Sequence, residues 1–300
     1  MIMANRERLV QLLGKSENCP IQSRLLKKAV TDTYVLEHLM LELNRIEAVP
    51  ALFAYPCNRT GPVPLVIYNH SHGGNFSLGK QELVSGAEYL QDPPFLPILI
   101  KMGFAVGCID MYGFGERQGK KESELVKEFL VTGHTLWGLR IFDNQQFLTY
   151  LSGRPEVDSS KIATIGMSMG GLMSWWLAAI DPRIQAVVDI AGQVDLETLI
   201  SVRGTDHHGF YYYVPNLLTE FSTLAIQSLI APRARLSLTG KADGMCPITG
   251  VLKLNQGLTE IYQTAGQSNH WQSFALTGGH QETAEMRMLW QQFLNQQLAQ

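Results

Sequence analysis

Short apolar runs alternate with longer amphipathic segments over most of this chain. The short runs have the length and apolar character of strands buried on both faces, and they lie at 63–68, 104–110, 162–165, 184–190, 235–238 and 274–276. The longer segments are predicted helices, and they lie at 95–102, 123–151, 172–180, 251–264 and 282–298. Gly133 and Gly138 weaken the helix prediction for the first half of 123–151. Alternating strands and helices are typical of parallel βαβ units, so the pattern predicts an α/β protein with a mostly parallel sheet and helices on both faces.

The N-terminal part follows a different pattern. A short helix is predicted around 9–13, followed by strand candidates at 34–43 and 45–54 in which apolar and polar residues partly alternate. Such a pair beside parallel units predicts a mixed sheet. No repeat, low-complexity tract or linker rich in Pro, Gly or Ser divides the sequence, so we predict one domain over 1–300.

Composition argues against several classes of protein. Of the 300 residues, 45% are apolar and 17% are charged, which is too apolar for a disordered chain. The formal net charge of −3 argues against a dedicated nucleic-acid-binding protein, which is usually basic. No apolar stretch reaches the ~20 residues that span a membrane, and residues 1–15 lack the apolar core of a signal peptide. We therefore expect a soluble cytoplasmic protein with no nucleic-acid or membrane partner, whose 4 cysteines remain free thiols.

A candidate nucleophile lies between a predicted strand and a predicted helix. Residues 166–170 read Gly-Met-Ser-Met-Gly, which matches the G-x-S-x-G pattern of a sharp strand–turn–helix. In such a turn the serine has a strained backbone, the glycines let neighbouring chains pass, and the hydroxyl lies at the positive end of a helix. Because the pattern also occurs on turns without chemistry, the case for Ser168 depends on partners elsewhere in the chain.

A serine hydroxyl needs a base, usually a histidine held by a carboxylate. After a G-x-S-x-G turn, the acid and then the histidine follow along the chain, each in a loop after a strand. Asp243 follows the predicted strand at 235–238, and His280 follows the one at 274–276. The chain order therefore predicts a catalytic triad of Ser168, Asp243 and His280.

Other residues compete for two of these roles. Asp189 and Asp195 lie near the end of the strand that precedes Asp243, and a carboxylate there could also reach the histidine. Asp243 precedes a glycine, and Asp-Gly is itself a common turn. His270 lies before the last strand, at the opposite edge of the sheet, whereas His280 lies after it in a Gly-Gly loop with room for the ring.

The loop after the first buried strand is a candidate oxyanion hole. It reads Asn-His-Ser-His-Gly-Gly-Asn over 69–75. A loop here commonly supplies one backbone N–H, and the residue after the nucleophile, Met169, supplies the other. We predict His72 as the loop donor, with Gly73 as the alternative. His70 and His72 also form an HxH pair, but no third or fourth ligand stands at suitable spacing, so we expect no metal and no other cofactor.

A long stretch between two strands, about 192–231, is a predicted lid-like insertion. Its candidate substrate-binding residues are His208, Phe210, Tyr211, Tyr212 and Tyr213. The rings could line an acyl or alcohol pocket. They could equally pack on the insertion's own core or form the contact of a homodimer. Trp175 and Trp176, on the helix after the nucleophile, are expected to pack under the sheet.

Together these residues resemble the dienelactone-hydrolase-like and acetyl-xylan-esterase-like branch of the α/β-hydrolases, from about residue 45 to the C-terminus. Similar segments are Asp-Met-Tyr-Gly-Phe-Gly at 110–115, Arg-Pro-Glu-Val-Asp at 154–158 and Leu-Ile-Ala-Pro-Arg at 229–233. The resemblance implies an α/β-hydrolase fold with an eight-stranded sheet and the triad named above. Two positions depart from the family pattern: Ser168 stands where dienelactone hydrolases have cysteine, and Ser71 stands where the oxyanion loop usually has glycine.

The serine favours ester hydrolysis over dienelactone chemistry. We therefore expect a serine hydrolase that cleaves carboxylic esters of small molecules through an acyl-enzyme. A peptidase or a thioesterase would use the same triad. A non-catalytic binding protein on the same fold is an alternative from a different class.

Overall fold

The strands of the described residues form one mixed sheet. The computed structural model describes residues 2–14 and 16–298, and nine strands in this part join that sheet. The strands are β1 (Gln22–Val30), β2 (Tyr34–Glu42), β3 (Val49–Pro56), β4 (Val63–Asn69), β5 (Ala105–Ile109), β6 (Val157–Met167), β7 (Ala186–Ile190), β8 (Ala234–Gly240) and β9 (Trp271–Leu276). Their order is β1-β2-β3-β5-β4-β6-β7-β8-β9. The pairs from β1 to β5 through β3 are antiparallel, and every pair from β5 to β9 is parallel.

The mostly parallel α/β sheet is confirmed, but the count of eight strands is wrong by one. The additional strand is β1, which pairs with β2 at the edge of the sheet and is exposed along nearly its whole length. Its sequence, Gln-Ser-Arg-Leu-Leu-Lys-Lys-Ala-Val, shows no alternation of apolar and polar residues, and its register shifts between Leu25 and Lys27. Because both faces are solvated, burial leaves no periodic pattern from which the strand could be predicted.

Helices cover both faces of the sheet. They are α1 (Ile2–Leu13), α2 (Glu82–Ser85), α3 (Phe95–Lys101), α4 (Glu122–Val131), α5 (Leu136–Ser152), α6 (Met169–Ile180), α7 (Leu196–Ser201), α8 (Leu217–Glu220), α9 (Thr223–Ser228), α10 (Ile248–Thr264) and α11 (Ala284–Leu298). One apolar cluster holds Trp137, Trp175 and Trp176 from α5 and α6, and the other holds Phe95 and Trp290 from α3 and α11. Within the described ranges, no helix is both long and apolar enough to cross a bilayer.

The segment predicted as one helix over 123–151 is two helices. The chain turns between α4 and α5, where Gly133 has a φ of +74°. Thr135 then caps α5 by accepting a hydrogen bond from the N–H of Gly138 at 2.9 Å. Gly138 also lies against the end of α1, because a Cβ there would be 2.1 Å from the carbonyl oxygen of Leu13. Gly133 therefore marks the break between the two helices, whereas Gly138 allows α1 to pack closely against α5.

A buried ion pair joins the neighbouring parallel strands β7 and β8. Arg235 donates to Asp189 at 2.9 Å, and both side chains are fully buried. The two terminal guanidinium nitrogens each donate one hydrogen bond, to Gln227 and to Gln193, while Ser237 donates to the carboxylate. Burial raises the pKa of Asp189, so the carboxylate depends on these partners to stay ionised.

A second buried polar group, His70, fixes the loop after β4. Its Nδ1 donates to the carbonyl oxygen of Ser71 at 2.9 Å, and its Nε2 accepts from the backbone N–H of Met111 at 3.1 Å. These two contacts define a neutral tautomer and tie the loop after β4 to the loop after β5. The ring is fully buried, and burial lowers the pKa of His70 to about 4.

Replacing Arg235 should destabilise the protein strongly. The variant Arg235→Met leaves the buried carboxylate of Asp189 without its cation, which typically costs about 3–5 kcal/mol of unfolding free energy. Lys120→Met, which breaks the exposed Lys120–Glu128 pair, is the control and should not shift the unfolding curve measurably. Urea unfolding followed by circular dichroism measures both; equal losses in the two variants would contradict this account.

His70 should make the stability of the fold fall in acid. Its pKa is about 4 when folded and about 6.5 when unfolded. Between these values the unfolded state binds the additional proton, so the contribution is complete above pH 6.5 and is lost as the pH falls towards 4. The loss is about 1.4 kcal/mol per pH unit and about 3 kcal/mol in total. His70→Gln should show a shallower decline over this range in urea unfolding at several pH values; identical slopes would disprove the assignment.

Candidate active site

Ser168 occupies a strained turn between β6 and α6. Its φ of 57° and ψ of −120° lie in a region that non-glycine residues rarely adopt. Its backbone N–H donates to the carbonyl oxygen of Ile190 at 2.8 Å. A Cβ on Gly170 would lie 2.0 Å from the carbonyl oxygen of Asn69, and one on Gly166 would lie 2.5 Å from it. The two glycines therefore allow the turn to close against the end of β4.

The structure brings Ser168, His280 and Asp243 into one line of hydrogen bonds. Nε2 of His280 lies 2.9 Å from Oγ of Ser168, and Nδ1 lies 2.9 and 3.0 Å from the two carboxylate oxygens of Asp243. Asp243 is buried and also accepts from the backbone N–H groups of Met245 and Cys246. The side chains of His280 and Ser168 are both partly exposed, whereas Asp243 is buried.

The competing acids and histidine are bound elsewhere. Asp189 pairs with Arg235 inside the sheet. Asp195 caps α7 by accepting from Thr198, and it also pairs with Lys253. His270 lies at the start of β9, the opposite end of that strand from His280, and its Nδ1 donates to the carbonyl oxygen of Pro232.

The two predicted oxyanion residues, Met169 and His72, lie on different elements. Met169 is the first residue of α6, where backbone N–H groups have no partner within the helix. His72 lies in the loop after β4, and two neighbouring groups fix the peptide units before it. The Ser71 N–H donates to Glu82 at 2.9 Å, and the Ser71 carbonyl accepts from His70. In a trans peptide the N–H points opposite to the C=O, so the N–H of His72 points away from the ring of His70.

The side chain of His72 packs in an aromatic cage. Its ring stacks on Tyr211 and meets Phe76 and Phe114 edge-on. Its Nε2 lies 3.5 Å from the Glu122 carboxylate, which is an ion-pair distance but not a well-aligned hydrogen bond. The predicted loop donor is thus anchored through its own side chain to α4 and to the insertion.

Glu122 joins this cage to Arg140. The fully buried guanidinium of Arg140 lies 3.2 Å from Glu122, contacts Sδ of Met169 at 3.5 Å, and lies over the ring of Tyr211. Burial would raise the pKa of Glu122, but its contacts with His72 and Arg140 outweigh this and lower that pKa. An ionised carboxylate therefore links the two predicted oxyanion residues.

The insertion places its predicted substrate-binding residues in different environments. Tyr211 and Tyr212 are buried in the main apolar cluster, beside Trp137. The hydroxyl of Tyr213 donates to the carbonyl oxygen of Thr205 within the insertion. Phe210 is 59% exposed. His208 contacts the carbonyl oxygen of Met245 at 2.8 Å, in the same loop as Asp243. In this aromatic run, Tyr211 and Tyr212 therefore belong to the core, whereas Phe210 faces solvent.

Within the described part of the chain, one group of three residues has metal-ligand chemistry. Asp243, Cys246 and His280 hold their ligand atoms within 4.8 Å of one another. Two of these groups already bond to each other in the Ser168 line, and the thiol of Cys246 donates to the carbonyl oxygen of Ala191 at 3.2 Å. The HxH pair is divided between separate partners, since His70 bonds to backbone groups and His72 faces Glu122.

Sequence reasoning missed Glu82, Glu122 and Arg140. Each is buried and contacts the loop after β4 or the residue after Ser168. No motif or spacing relates these positions to the serine turn, so the sequence carries no signal that identifies them. They can be identified only in the structure, where each is a buried charged side chain in contact with the predicted site.

The chain resembles known proteins in both sequence and structure. The model of the "Dienelactone hydrolase family" matches residues 97–205, which include Ser168. Over 283 residues the chain is 45% identical to the Bacillus subtilis (strain 168) protein named "Putative hydrolase YtaP", covering 94% of this chain and 95% of that protein.

Two solved structures share the fold. A glucuronoyl esterase from Solibacter usitatus superposes with a TM-score of 0.72 at 12% identity, over 97% of this chain and 92% of that one. An acetyl xylan esterase from Paenibacillus sp. R4 superposes with a TM-score of 0.67 at 16% identity, over 98% and 93%. At these identities the likeness shows the α/β-hydrolase fold. With 45% identity over nearly the full length, the chain belongs to the same hydrolase family as that Bacillus subtilis protein, and its residues 97–205 form a stretch typical of the dienelactone hydrolase family.

Proposed function

We propose that this protein is a serine esterase that cleaves carboxylic esters of small molecules through an acyl-enzyme. The observation that carries the proposal is the single imidazole of His280, which lies 2.9 Å from Oγ of Ser168 on one side and 2.9 Å from the Asp243 carboxylate on the other. This arrangement gives a weak nucleophile a base and gives the base a fixed tautomer.

Acylation begins with proton transfer from Ser168 to His280. As Oγ attacks the ester carbonyl, Nε2 of His280 takes the hydroxyl proton, and the Asp243 carboxylate stabilises the imidazolium through Nδ1–H. The tetrahedral intermediate carries its negative charge on the former carbonyl oxygen. His280 then returns the proton to the leaving alkoxide, and the alcohol departs.

Deacylation repeats these steps with water. His280 takes a proton from a water molecule that attacks the acyl carbonyl, and returns it to Oγ of Ser168 as the acid is released. In both halves we assign the oxyanion to the backbone N–H groups of Met169 and His72. Each donor of this kind contributes about 2.7–4 kcal/mol to transition-state stabilisation.

We further propose that the insertion bounds the substrate with its exposed residues. Phe210 offers an exposed ring, and His208 lies beside the Asp243 loop. Tyr211 acts indirectly, because its ring stacks on His72. Tyr212 and Tyr213 support the insertion through core packing and the bond to Thr205.

Removing the nucleophile should abolish both labelling and turnover. A serine-directed phosphonate should label the wild-type protein and not Ser168→Ala. The variant should lose ester hydrolysis by a factor on the order of 10⁴ or more, because the covalent pathway is gone. Mass spectrometry of the labelled protein and p-nitrophenyl acetate hydrolysis measure these outcomes. Equal rates in both proteins would remove Ser168 from the mechanism.

Removing the orienting carboxylate should reduce the rate with little loss of fold. Asp243→Asn should lower kcat by about 10⁴, because the amide favours the wrong tautomer of His280. Asp195→Asn is the matched control: its amide oxygen still caps α7, it loses the charge paired with Lys253, and it should keep kcat. Steady-state kinetics on one ester compares them; a larger kcat loss in Asp195→Asn would reassign the acid.

Matched substrates separate the alternative functions. One acyl group presented as an oxygen ester, a thioester and an anilide distinguishes esterase, thioesterase and peptidase activity through kcat/KM. The oxygen ester should be preferred. Tight ligand binding without turnover over a broad ester panel would instead support a non-catalytic binding protein.

A further inference from the structure

Glu82 is a buried carboxylate whose hydrogen-bond partners are all neutral groups. It lies at the start of α2, is 1% exposed, and in the described chain makes no ion pair with Lys, Arg or His. Its Oε1 accepts from the Tyr68 hydroxyl at 2.7 Å, the Ser71 N–H at 2.9 Å and the Ser71 hydroxyl at 3.1 Å. Its Oε2 accepts from the Tyr89 hydroxyl at 2.6 Å. Burying an unpaired carboxylate is costly, so these donors must hold it tightly.

Two of these bonds fix the loop that carries the oxyanion donor. The Ser71 N–H belongs to the peptide unit before the Ser71–His72 unit, and Glu82 sets its direction. The Ser71 hydroxyl is also 3.1 Å from the carbonyl oxygen of Met167, the residue before the nucleophile. The single hydroxyl proton of Ser71 is therefore shared between Glu82 and the carbonyl oxygen of Met167, so the carboxylate holds the loop after β4 and meets the start of the serine turn at this one hydroxyl.

The bond to Tyr89 extends this anchoring to the histidine loop. The carbonyl oxygen of Tyr89 accepts from the N–H of Glu282 at 2.8 Å, and Glu282 lies two residues after His280. The Glu282 carboxylate is itself held by Arg287 and Trp290. Tyr89 also touches the oxyanion loop, because a Cβ on Gly73 would lie 2.5 Å from its hydroxyl.

We propose that Glu82 is a positioning residue for the oxyanion hole, because it joins the oxyanion loop, the serine turn and the histidine loop through Ser71 and Tyr89. It does not touch the substrate; it acts by fixing the direction of the His72 N–H relative to Ser168 and His280. The proposal rests on the proposed esterase function. Oxyanion donors act mainly in the transition state, so their misplacement lowers kcat more than it raises KM.

The test replaces the carboxylate with an amide of the same shape. Glu82→Gln keeps the volume but turns an NH₂ donor towards one group of donors. We expect kcat on p-nitrophenyl acetate to fall 10- to 100-fold with KM within about twofold. Affinity for an aryl trifluoromethyl ketone, which forms a tetrahedral oxyanion on the serine, should weaken in parallel with kcat/KM. If Glu82 only stabilised the fold, the loss of kcat/KM would not be matched by an equal loss of affinity for the ketone.

Two further variants keep the test decisive. Glu156→Gln is the matched control, since it removes a carboxylate paired with Arg154 near the start of β6, and it should keep kcat. Tyr89→Phe keeps the ring and the carbonyl but removes the Oε2 partner. It should lower kcat severalfold even if Glu82→Gln fails to fold, as judged by circular dichroism.

The outcomes separate this proposal from the proposed function. Ester hydrolysis by wild type with unchanged kcat in a folded Glu82→Gln, or in Tyr89→Phe, would overturn the role of Glu82 and leave the esterase intact. A kcat loss with unchanged affinity for the ketone would overturn it as well. A wild-type protein that hydrolyses no ester would overturn both.

Discussion

The close approach of backbones around Ser168 is the constraint on which the rest of the site depends. The first turn of α6 passes between the ends of β4 and β7. A Cβ at Gly170 would meet the end of β4, and one at Gly171 would lie 2.9 Å from the carbonyl oxygen of Ile190 at the end of β7. The contact holds Ser168 in its strained conformation. Because three backbone segments share this contact, the residues that follow β4, β6 and β7 are positioned together rather than separately.

Buried carboxylates also hold the loops around Ser168 in position. The strands themselves are apolar, but the loops at their carboxyl ends leave backbone N–H and C=O groups without sheet partners. Glu82 and Asp243 accept several of these N–H groups, and Glu122 anchors the ring of His72. A carboxylate suits this task because it accepts several hydrogen bonds at once, and bonds to a charged acceptor are stronger than neutral ones.

The features that could be predicted from the sequence are those in which burial leaves a regular pattern of apolar residues. The parallel strands read as apolar runs because both faces are covered, and the Ser168, Asp243 and His280 positions follow from strand ends and chain order. Strand β1 was missed because its solvated faces carry no alternation. The environments of Phe210 and Tyr212 could not be separated, since adjacent aromatics look alike in sequence but one is exposed and the other lies in the core. Glu82 was missed because its partners, Tyr68, Ser71 and Tyr89, are neutral groups that form no recognisable motif with a carboxylate.

Ser71 shows how a departure from a family pattern gains meaning from the structure. The family pattern that the sequence resembles has glycine at this position. Here the serine hydroxyl lies 3.1 Å from both Glu82 and the carbonyl oxygen of Met167, while the Ser71 N–H and C=O are held by Glu82 and His70. A side chain at this position costs conformational freedom but adds an anchor between the loop and the serine turn. The loop is therefore held by specific hydrogen bonds. Burial raises the pKa of Glu82 while the bonds from Tyr89, Tyr68 and Ser71 oppose that rise, so the carboxylate depends on these donors to stay ionised.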